Sequence, residues 1–243
     1  VVGAGHAGCE AALAASRMGA CTALVTLSFD SVACMPCNPS IGGIAKSHLV
    51  FELDALGGEM ARNTDATGIQ FRVLNTRKGP AVRANRAQCD KDAYSQRMRT
   101  LLEATENLRL ITGSVVEVIL ASDRAAGVKM QDGGIVRGRS VVLTPGTFLN
   151  GRIHVGTEST PGGRAGQPAA DVLGRWLLAA GLRMARLKTG TPPRLHRDSI
   201  DPSRMEVQPG VEPPPFFSWA ARRGCGMFHV EHWTAGAREQ APM

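Results

Sequence analysis

Aromatic side chains are scarce: three Trp, one Tyr and seven Phe make up 5% of 243 residues. Proteins that grip single-stranded nucleic acid without regard to sequence stack bases on aromatic rings, so that class is disfavoured. No run of 18 uncharged apolar residues occurs, which argues against a membrane-crossing helix. The first residues carry neither the basic region nor the cleavage pattern of a secretory leader. Cysteine is also sparse, at Cys9, Cys21, Cys34, Cys37, Cys89 and Cys225 with no repeated spacing, which excludes a disulfide scaffold and points to a reducing compartment. The expectation is a soluble, cytoplasmic protein. Acidic residues are missing from two long stretches, 66–89 and 172–197.

What is present is enough for a core: hydrophobic residues make up 43% of the chain, which suits one large domain or one and a part. Lys and Arg number 28 against 21 Asp and Glu, a net charge of +7. Such a balance suits an anionic partner such as nucleic acid, and equally a basic protein with no such partner.

The opening VVGAGHAGCEAALAASRMGACTALVT reads as strand, glycine turn, helix and strand. Gly3, Gly5 and Gly8 supply GxGxxG: a tight turn, close backbone approach to a pyrophosphate, and helix-to-strand packing respectively. A phosphate there would meet the positive end of the helix dipole. The acid that holds a ribose hydroxyl about 20 residues later in such folds is absent; Thr26 stands near that position and the nearest acid is Asp30. Only two residues of the first strand precede the turn, so the strand reads as truncated.

Further on, Tyr94, Met98, Leu101 and Leu102 predict a helix between Asp90 and Asn107, with Asp90 as its N-cap. Short β-like runs follow from Leu108, Ser114, Ala126 and Ser140, with a hairpin turn at Asp132, Gly133 and Gly134. Gly162 and Gly163 read as a flexible joint before a second amphipathic helix, in which Val172, Leu173, Trp176, Leu177 and Ala180 share a face and Gly181 ends it. LKTGTPPRL at 187–195 cannot continue a helix because of its prolines and reads as a shaped loop. The last 20 or so residues are expected to be poorly ordered. The fold class that emerges is α/β: a Rossmann-like domain with a parallel sheet, helices and a β-meander, plus part of an inserted second domain.

Several residues could carry chemistry. Cys34 and Cys37 form CMPC, which alone admits a zinc half-site, a redox dithiol or two unrelated thiols. Zinc needs four ligands and no second CxxC exists, so no metal is expected. Cys37 followed by Asn38, Pro39, Ser40, Gly42 and Gly43 suits a thiol activated by backbone amides; the alternative is a buried, inert cysteine. His6 and His48 could touch a phosphate or a flavin, or be ordinary structural groups. Arg72, Arg77, Lys78, Arg83 and Arg86 fall in the first acid-free stretch, and Arg175, Arg183, Arg186, Lys188, Arg194 and Arg197 in the second. Each run reads as phosphate contacts or as a solvated face.

Taken together, GAGHAG at 3–8, CNPSIGGIAKSHLV at 37–50, ELDALGG at 52–58, GIQFRVLNTRKGPAVRANRAQ at 68–88, VVLTPGTFLNGRIHVG at 141–156, GGRAGQPA at 162–169 and LKTGTPPRL at 187–195 resemble the tRNA uridine 5-carboxymethylaminomethyl modification enzyme family, MnmG or GidA. The resemblance runs from residue 1 to about 218. It implies an FAD-dependent enzyme that works with a partner GTPase on the wobble uridine of tRNA, with methylenetetrahydrofolate as carbon donor and NADH as reductant, and that forms a homodimer without membrane association. It carries FAD contacts onto Gly3, Ala4, Gly5, His6, Ala7, Gly8 and Val115, and a catalytic role onto Cys37. Lys78, Arg83 and Arg86 are the candidate nucleic-acid or phosphate contacts. A non-catalytic nucleotide-binding remnant and the folate-dependent tRNA uridine methyltransferase are the alternatives.

The expected organisation is an FAD domain at 1–160, the start of an inserted substrate or NAD domain at 161–218, and a non-matching tail at 219–243. The family's second cysteine motif and helical carboxy-terminal domain are not seen, so the chain reads as an amino-terminal fragment from a truncated or frame-shifted gene. Ala45 and Ser47 replace glycines usual in the family, Ala170 replaces a serine, and Pro145 interrupts a TTGTF-like run.

Overall fold

A computed structural model describes residues 1–35, 38–193 and 195–223. In chain order the elements are α1 (His6–Arg17), β1 (Thr22–Thr26), β2 (Ser40–Gly42), α2 (Lys46–Ala55), α3 (Met60–Thr67), β3 (Gly68–Leu74), β4 (Ala84–Cys89), α4 (Lys91–Ala104), β5 (Leu108–Thr112), β6 (Val115–Ala121), β7 (Arg124–Met130), β8 (Ile135–Arg137), β9 (Arg152–Val155), β10 (Glu158–Pro161), α5 (Asp171–Ala179) and α6 (Trp219–Arg222). They form two compact units, the first from 1–36 and 95–188, the second from 37–94 and 189–243. Both units are discontinuous in the chain, and their breaks fall elsewhere than at 160 and 218. No helix of the described residues is long and apolar enough to cross a membrane.

The first unit is built on parallel pairing. Val2 bridges Val25 on one side and Leu143 on the other, both in parallel, and β1 runs parallel to β5 from Thr22↔Leu108 to Thr26↔Thr112. Four chain segments thus lie in the order 143, 2, β1, β5. Parallel neighbours need crossover connections, and α1 supplies the first: Cys9, Ala12, Leu13 and Ser16 are buried at i, i+3, i+4 and i+7, one stripe of the helix. An antiparallel meander, β6-β7-β8, completes the unit. Val2, Val25, Val115, Val118, Val128, Met130, Leu173 and Leu177 form one apolar cluster that joins sheet, meander and α5. Each such side chain contributes about 1.5–3 kcal/mol when fully buried, so this cluster fixes where the glycine turn sits.

Most sequence expectations hold for this unit and for α4, whose residues divide between the two units after Tyr94. Asp90 caps α4 through Oδ1, which accepts from the Asp92 and Ala93 amides at 3.0 Å each, and Tyr94, Met98 and Leu102 are buried beneath it. Three details differ. The turn at Asp132 leads into β8, with Asp132 Oδ1 accepting from the Gly134 amide at 2.9 Å; the run from Ser140 instead returns beside Val2, and Pro145, which has no N–H to donate, ends that pairing. The pair Gly162–Gly163 is no joint: it follows the β9–β10 hairpin, Gly162 is buried, and its amide donates to the Gly151 carbonyl at 3.0 Å. In α5, Leu173 and Leu177 face the core while Val172, one residue earlier on the helix, is 47% exposed.

The second unit has no counterpart among the sequence-predicted elements. Its antiparallel sheet has the order β2-β4-β3, with α2 and α3 beside it. Ile41, Phe71, Ala87 and Cys89 are buried on one face. The segment 208–222 straps the sheet: Gln70 Nε2 donates to the Gln208 carbonyl at 2.8 Å, the Val211 amide to the Phe71 carbonyl at 2.8 Å, and Asn85 Nδ2 to the Pro215 carbonyl at 2.7 Å. Phe217 then stacks on Phe51 with ring centroids 5.5 Å apart.

Candidate functional site

The glycine turn connects Val2 to α1. Gly3 has φ +96°, a left-handed conformation, and a Cβ there would lie 2.4 Å from the Thr144 carbonyl oxygen. A Cβ at Gly8 would lie 1.7 Å from the Gly3 carbonyl oxygen. Both positions therefore demand glycine. Gly5 differs: it is the N-cap of α1 in extended conformation, and a Cβ there would meet nothing within 4 Å. No side chain caps α1 and no acid occupies its first turn. The 12-residue helix thus presents backbone amides at its positive end to open space, a geometry that suits an anionic phosphate.

Thr144 holds this turn in place, and its role is not evident from the sequence motifs. Its Oγ1 donates towards the Val2 and Gly3 carbonyls at 2.9 Å each, and its amide donates to Val2 at 2.9 Å. Ala4 lies in the same turn, where its carbonyl accepts from the Ala33 amide at 2.8 Å, and His6 and Ala7 open α1. Val115 opens β6 with its side chain in the apolar cluster that holds Val2. Asp30, the acid nearest the ribose position, is directed to Arg99 of α4 at 3.5 Å, with its side chain 92% exposed.

Thiols differ in their readiness to react. Burial pushes Cys9 and Cys89 up to about 12, which leaves both as inert thiols at neutral pH. Cys34 is half-buried and free. Cys37, the candidate nucleophile, lies outside the described residues, as do Arg194, Cys225 and the rest of the tail from residue 224. Among the described residues no cluster of His, Cys, Asp and Glu could hold a metal ion.

The candidate phosphate contacts belong to the second unit. Lys78 and Arg83 lie in the exposed connection between β3 and β4, where Arg83 Nε donates to the Lys78 carbonyl at 3.2 Å. Arg86 lies in β4, the central strand, directly opposite Arg72 of β3 and Gly42 of β2. Lys46, at the start of α2, donates through Nζ to the Ser40 carbonyl at 3.1 Å, and His48 follows two residues later in the helix.

Two further residues shape this unit: Asp65, which no sequence motif marks, and Ala45, which stands within the 37–50 motif. Asp65 is a buried carboxylate whose two oxygens accept the Phe217 and Ser218 amides at 2.7 Å each, so it clamps the strap to α3. Ala45 precedes α2 with φ +64° and ψ −49°, and the Lys46 amide donates back to the Ile44 carbonyl at 2.8 Å. That is a γ-turn of the rare, strained hand, a conformation that glycine adopts at lower cost than alanine.

Comparison with known proteins gives this geometry a lineage. A family model described as glucose inhibited division protein A matches residues 1–235, which extends past Ser218. The tRNA uridine 5-carboxymethylaminomethyl modification enzyme MnmG of Pelobacter propionicus is 56% identical over 223 residues, 92% of this chain and 36% of the relative. The enzyme of the same name from Syntrophotalea carbinolica is 58% identical over 218 residues, 90% of this chain and 35% of the relative. Among solved structures, Aquifex aeolicus GidA in its form II crystal superposes with a TM-score of 0.86 at 49% identity, over 91% of this chain and 37% of that one. The GidA-related protein from Thermus thermophilus reaches a TM-score of 0.55 at 25% identity, over 75% of this chain and 67% of that one. The chain spans about a third of the length of these curated relatives. With the match extending over nearly all of its residues, this chain belongs to the glucose inhibited division protein A (GidA) family.

Proposed function

We propose that this chain supplies the cofactor-binding and RNA-facing parts of an FAD-dependent enzyme that adds a carboxymethylaminomethyl-type group at carbon 5 of the tRNA wobble uridine, in the cytoplasm. The observation that carries the reading is the start of α1: uncapped, without an acid, open above Gly5, and placed at the end of a strand in a parallel sheet. That donor set fits a pyrophosphate. Gly3, Ala4, Gly5, His6, Ala7 and Gly8 would hold it, and Val115 would border the cofactor from β6. When bound, FAD would supply two-electron chemistry at the transferred carbon, with NADH as reductant and methylenetetrahydrofolate as carbon donor.

The chain's own part in the reaction is nucleophilic. Carbon 5 of uracil attacks poorly until a nucleophile adds at carbon 6. The Cys37 thiolate would form that S–C6 bond while the C5–C6 π electrons move towards the C4 carbonyl oxygen. Carbon 5 then bonds the incoming carbon, and loss of its proton expels the thiolate and restores the double bond. Lys78, Arg83 and Arg86 would meet phosphates of the tRNA. A partner GTPase and a second copy of the protein complete the reading.

A chimera tests it. Joined to the remaining length of the Pelobacter propionicus relative, the chain is expected to restore the modified wobble nucleoside in cells that lack their own enzyme. Cys37→Ser in the chimera should abolish the modification while flavin content persists. No modified nucleoside from the unsubstituted chimera would overturn the proposal, and unchanged modification by Cys37→Ser would remove the thiol from it.

A further inference from the structure

The β2-β4-β3 sheet of the second unit has one buried apolar face and one polar face. Antiparallel partners directly opposite each other project to the same side, so the pairs Ser40↔Gln88, Gln70↔Gln88, Gly42↔Arg86 and Arg72↔Arg86 define the polar face, which ends at the apolar pair Leu74↔Ala84, where Ala84 is buried. None of these residues is acidic. Arg72 and Arg86 therefore stand as like charges across adjacent strands, an arrangement that is unfavourable unless something of opposite sign lies between or above them. Neither forms an ion pair among the described residues; Arg72 instead donates to Gln208 Oε1. Lys46 adds a third cation at the edge strand, with its ammonium on the Ser40 carbonyl. Burial holds Lys46 below its ordinary value, with the Arg86 charge acting in the same direction and Cys89 opposing.

A built anion surface has this signature: cations gathered where folding alone gains nothing from their proximity, neutral amides between them, and no carboxylate to satisfy them. We propose that the polar face of β2-β4-β3, through Lys46, Arg72 and Arg86, binds phosphodiester groups of an RNA strand. The inference rests on the proposed action on tRNA and deepens it, because it assigns the contact to the sheet face. The connection at 75–83, where the charge run is densest, becomes secondary. Arg72 and Arg86 stand on adjacent strands, about 4.8 Å apart, and Lys46 reaches the edge strand from the start of α2, so the three cations are spread along a surface. That spread suits successive phosphates of a backbone better than a single small anion. Lys78 and Arg83 lie outside the sheet face, in the exposed connection between β3 and β4.

The test uses the 243-residue chain, an unmodified tRNA transcript as probe, and fluorescence anisotropy over a series of salt concentrations. Removing one cation from a phosphate lowers the slope of log affinity against log salt by roughly 0.7–0.9. Arg86→Gln is expected to lower it by one such step, and Lys46→Gln with Arg86→Gln by two. Arg86→Lys keeps the charge and should keep the slope, which separates removal of charge from misfolding. Arg124→Gln with Arg139→Gln, the same charge change at exposed positions of the first unit, should leave it unchanged. Equal slopes for all variants, or an equal drop in the control pair, would contradict the proposal. So would displacement of the tRNA by an equimolar amount of inorganic pyrophosphate, which would make the surface a small-anion site. FAD titration of the same samples keeps the two readings apart: a chain that binds FAD but no tRNA sinks this inference and leaves the cofactor turn standing.

Discussion

Two helices of this chain begin alike and are built differently. Both α1 and α2 follow a strand through a turn with positive φ, and neither has a side-chain cap or an acid in its first turn. At α1 the left-handed residue is Gly3, and its companion Gly8 lies against the Gly3 carbonyl. At α2 the left-handed residue nearest the helix is Ala45, and the following Ser47 is fully buried with no hydrogen-bond partner for Oγ among the described residues. The contrast separates two kinds of constraint. Steric closure at α1 leaves no alternative to glycine, whereas α2 keeps a glycine conformation with a side chain in it and bears the strain.

The largest effect is expected at Gly8→Ala, where the new methyl would overlap the Gly3 carbonyl. Destabilisation of about 3 kcal/mol should appear in urea unfolding, together with loss of any FAD binding. A loss below about 1 kcal/mol would mean that the turn can open without cost.

Next in size is Asp65→Asn. An amide has one acceptor oxygen where the carboxylate offers two, so one of the Phe217 and Ser218 amides is left without its partner, at a cost of about 2 kcal/mol. Its pH dependence has a definite sign. Burial, the largest influence, raises Asp65 above its ordinary value in spite of those two hydrogen bonds. A folded-state value above the unfolded one means that the folded state holds the proton more tightly. The stability from this group is then fully present below the unfolded value of about 4. It is lost as the pH rises through the folded value. Urea midpoints of the natural chain should fall more steeply over that window than those of Asp65→Asn; parallel curves would contradict the assignment.

A smaller change is expected at Thr144→Val, which removes the hydroxyl over Val2 and Gly3 and should cost about 1 kcal/mol. Thr144→Ser, which keeps the hydroxyl, should recover most of it. The smallest effect has the opposite sign. Ala45→Gly relieves the turn before α2 and should raise stability by about 0.5–1 kcal/mol, read as a higher thermal midpoint. A lower midpoint would show that Ala45 is not strained.

The same contrast explains what can be read from the sequence. The α1 turn is legible because local rules act alone: a strand, three spaced glycines and an alanine-rich helix need no distant partner to be recognised. The cap at Asp90 and the core face of α5 are legible for that reason too. The second unit is not. Its three-residue strand β2 has no period to detect, and its sheet is held by a strap more than 100 residues away in sequence, through contacts such as Asn85 to Pro215 and Asp65 to Phe217. Charge composition points to the 66–89 stretch as a whole, but only strand register distinguishes Arg86 and Arg72, which share a face, from Arg83 in the connection. Thr144 is hidden in the sequence because its partners, Val2 and Gly3, lie more than 140 residues earlier.

Gly5→Ala tests the central claim, that the start of α1 holds the cofactor's pyrophosphate, most directly. The added methyl meets no protein atom within 4 Å and the backbone there is already extended, so the fold should tolerate it. It would nevertheless stand where the pyrophosphate must approach the backbone. The chain and the variant can be compared by equilibrium titration with FAD, with thermal unfolding of the unliganded proteins run beside it. Closely similar unfolding midpoints and an FAD affinity at least tenfold weaker are expected in the variant; equal affinities would mean that the start of α1 does not hold the pyrophosphate.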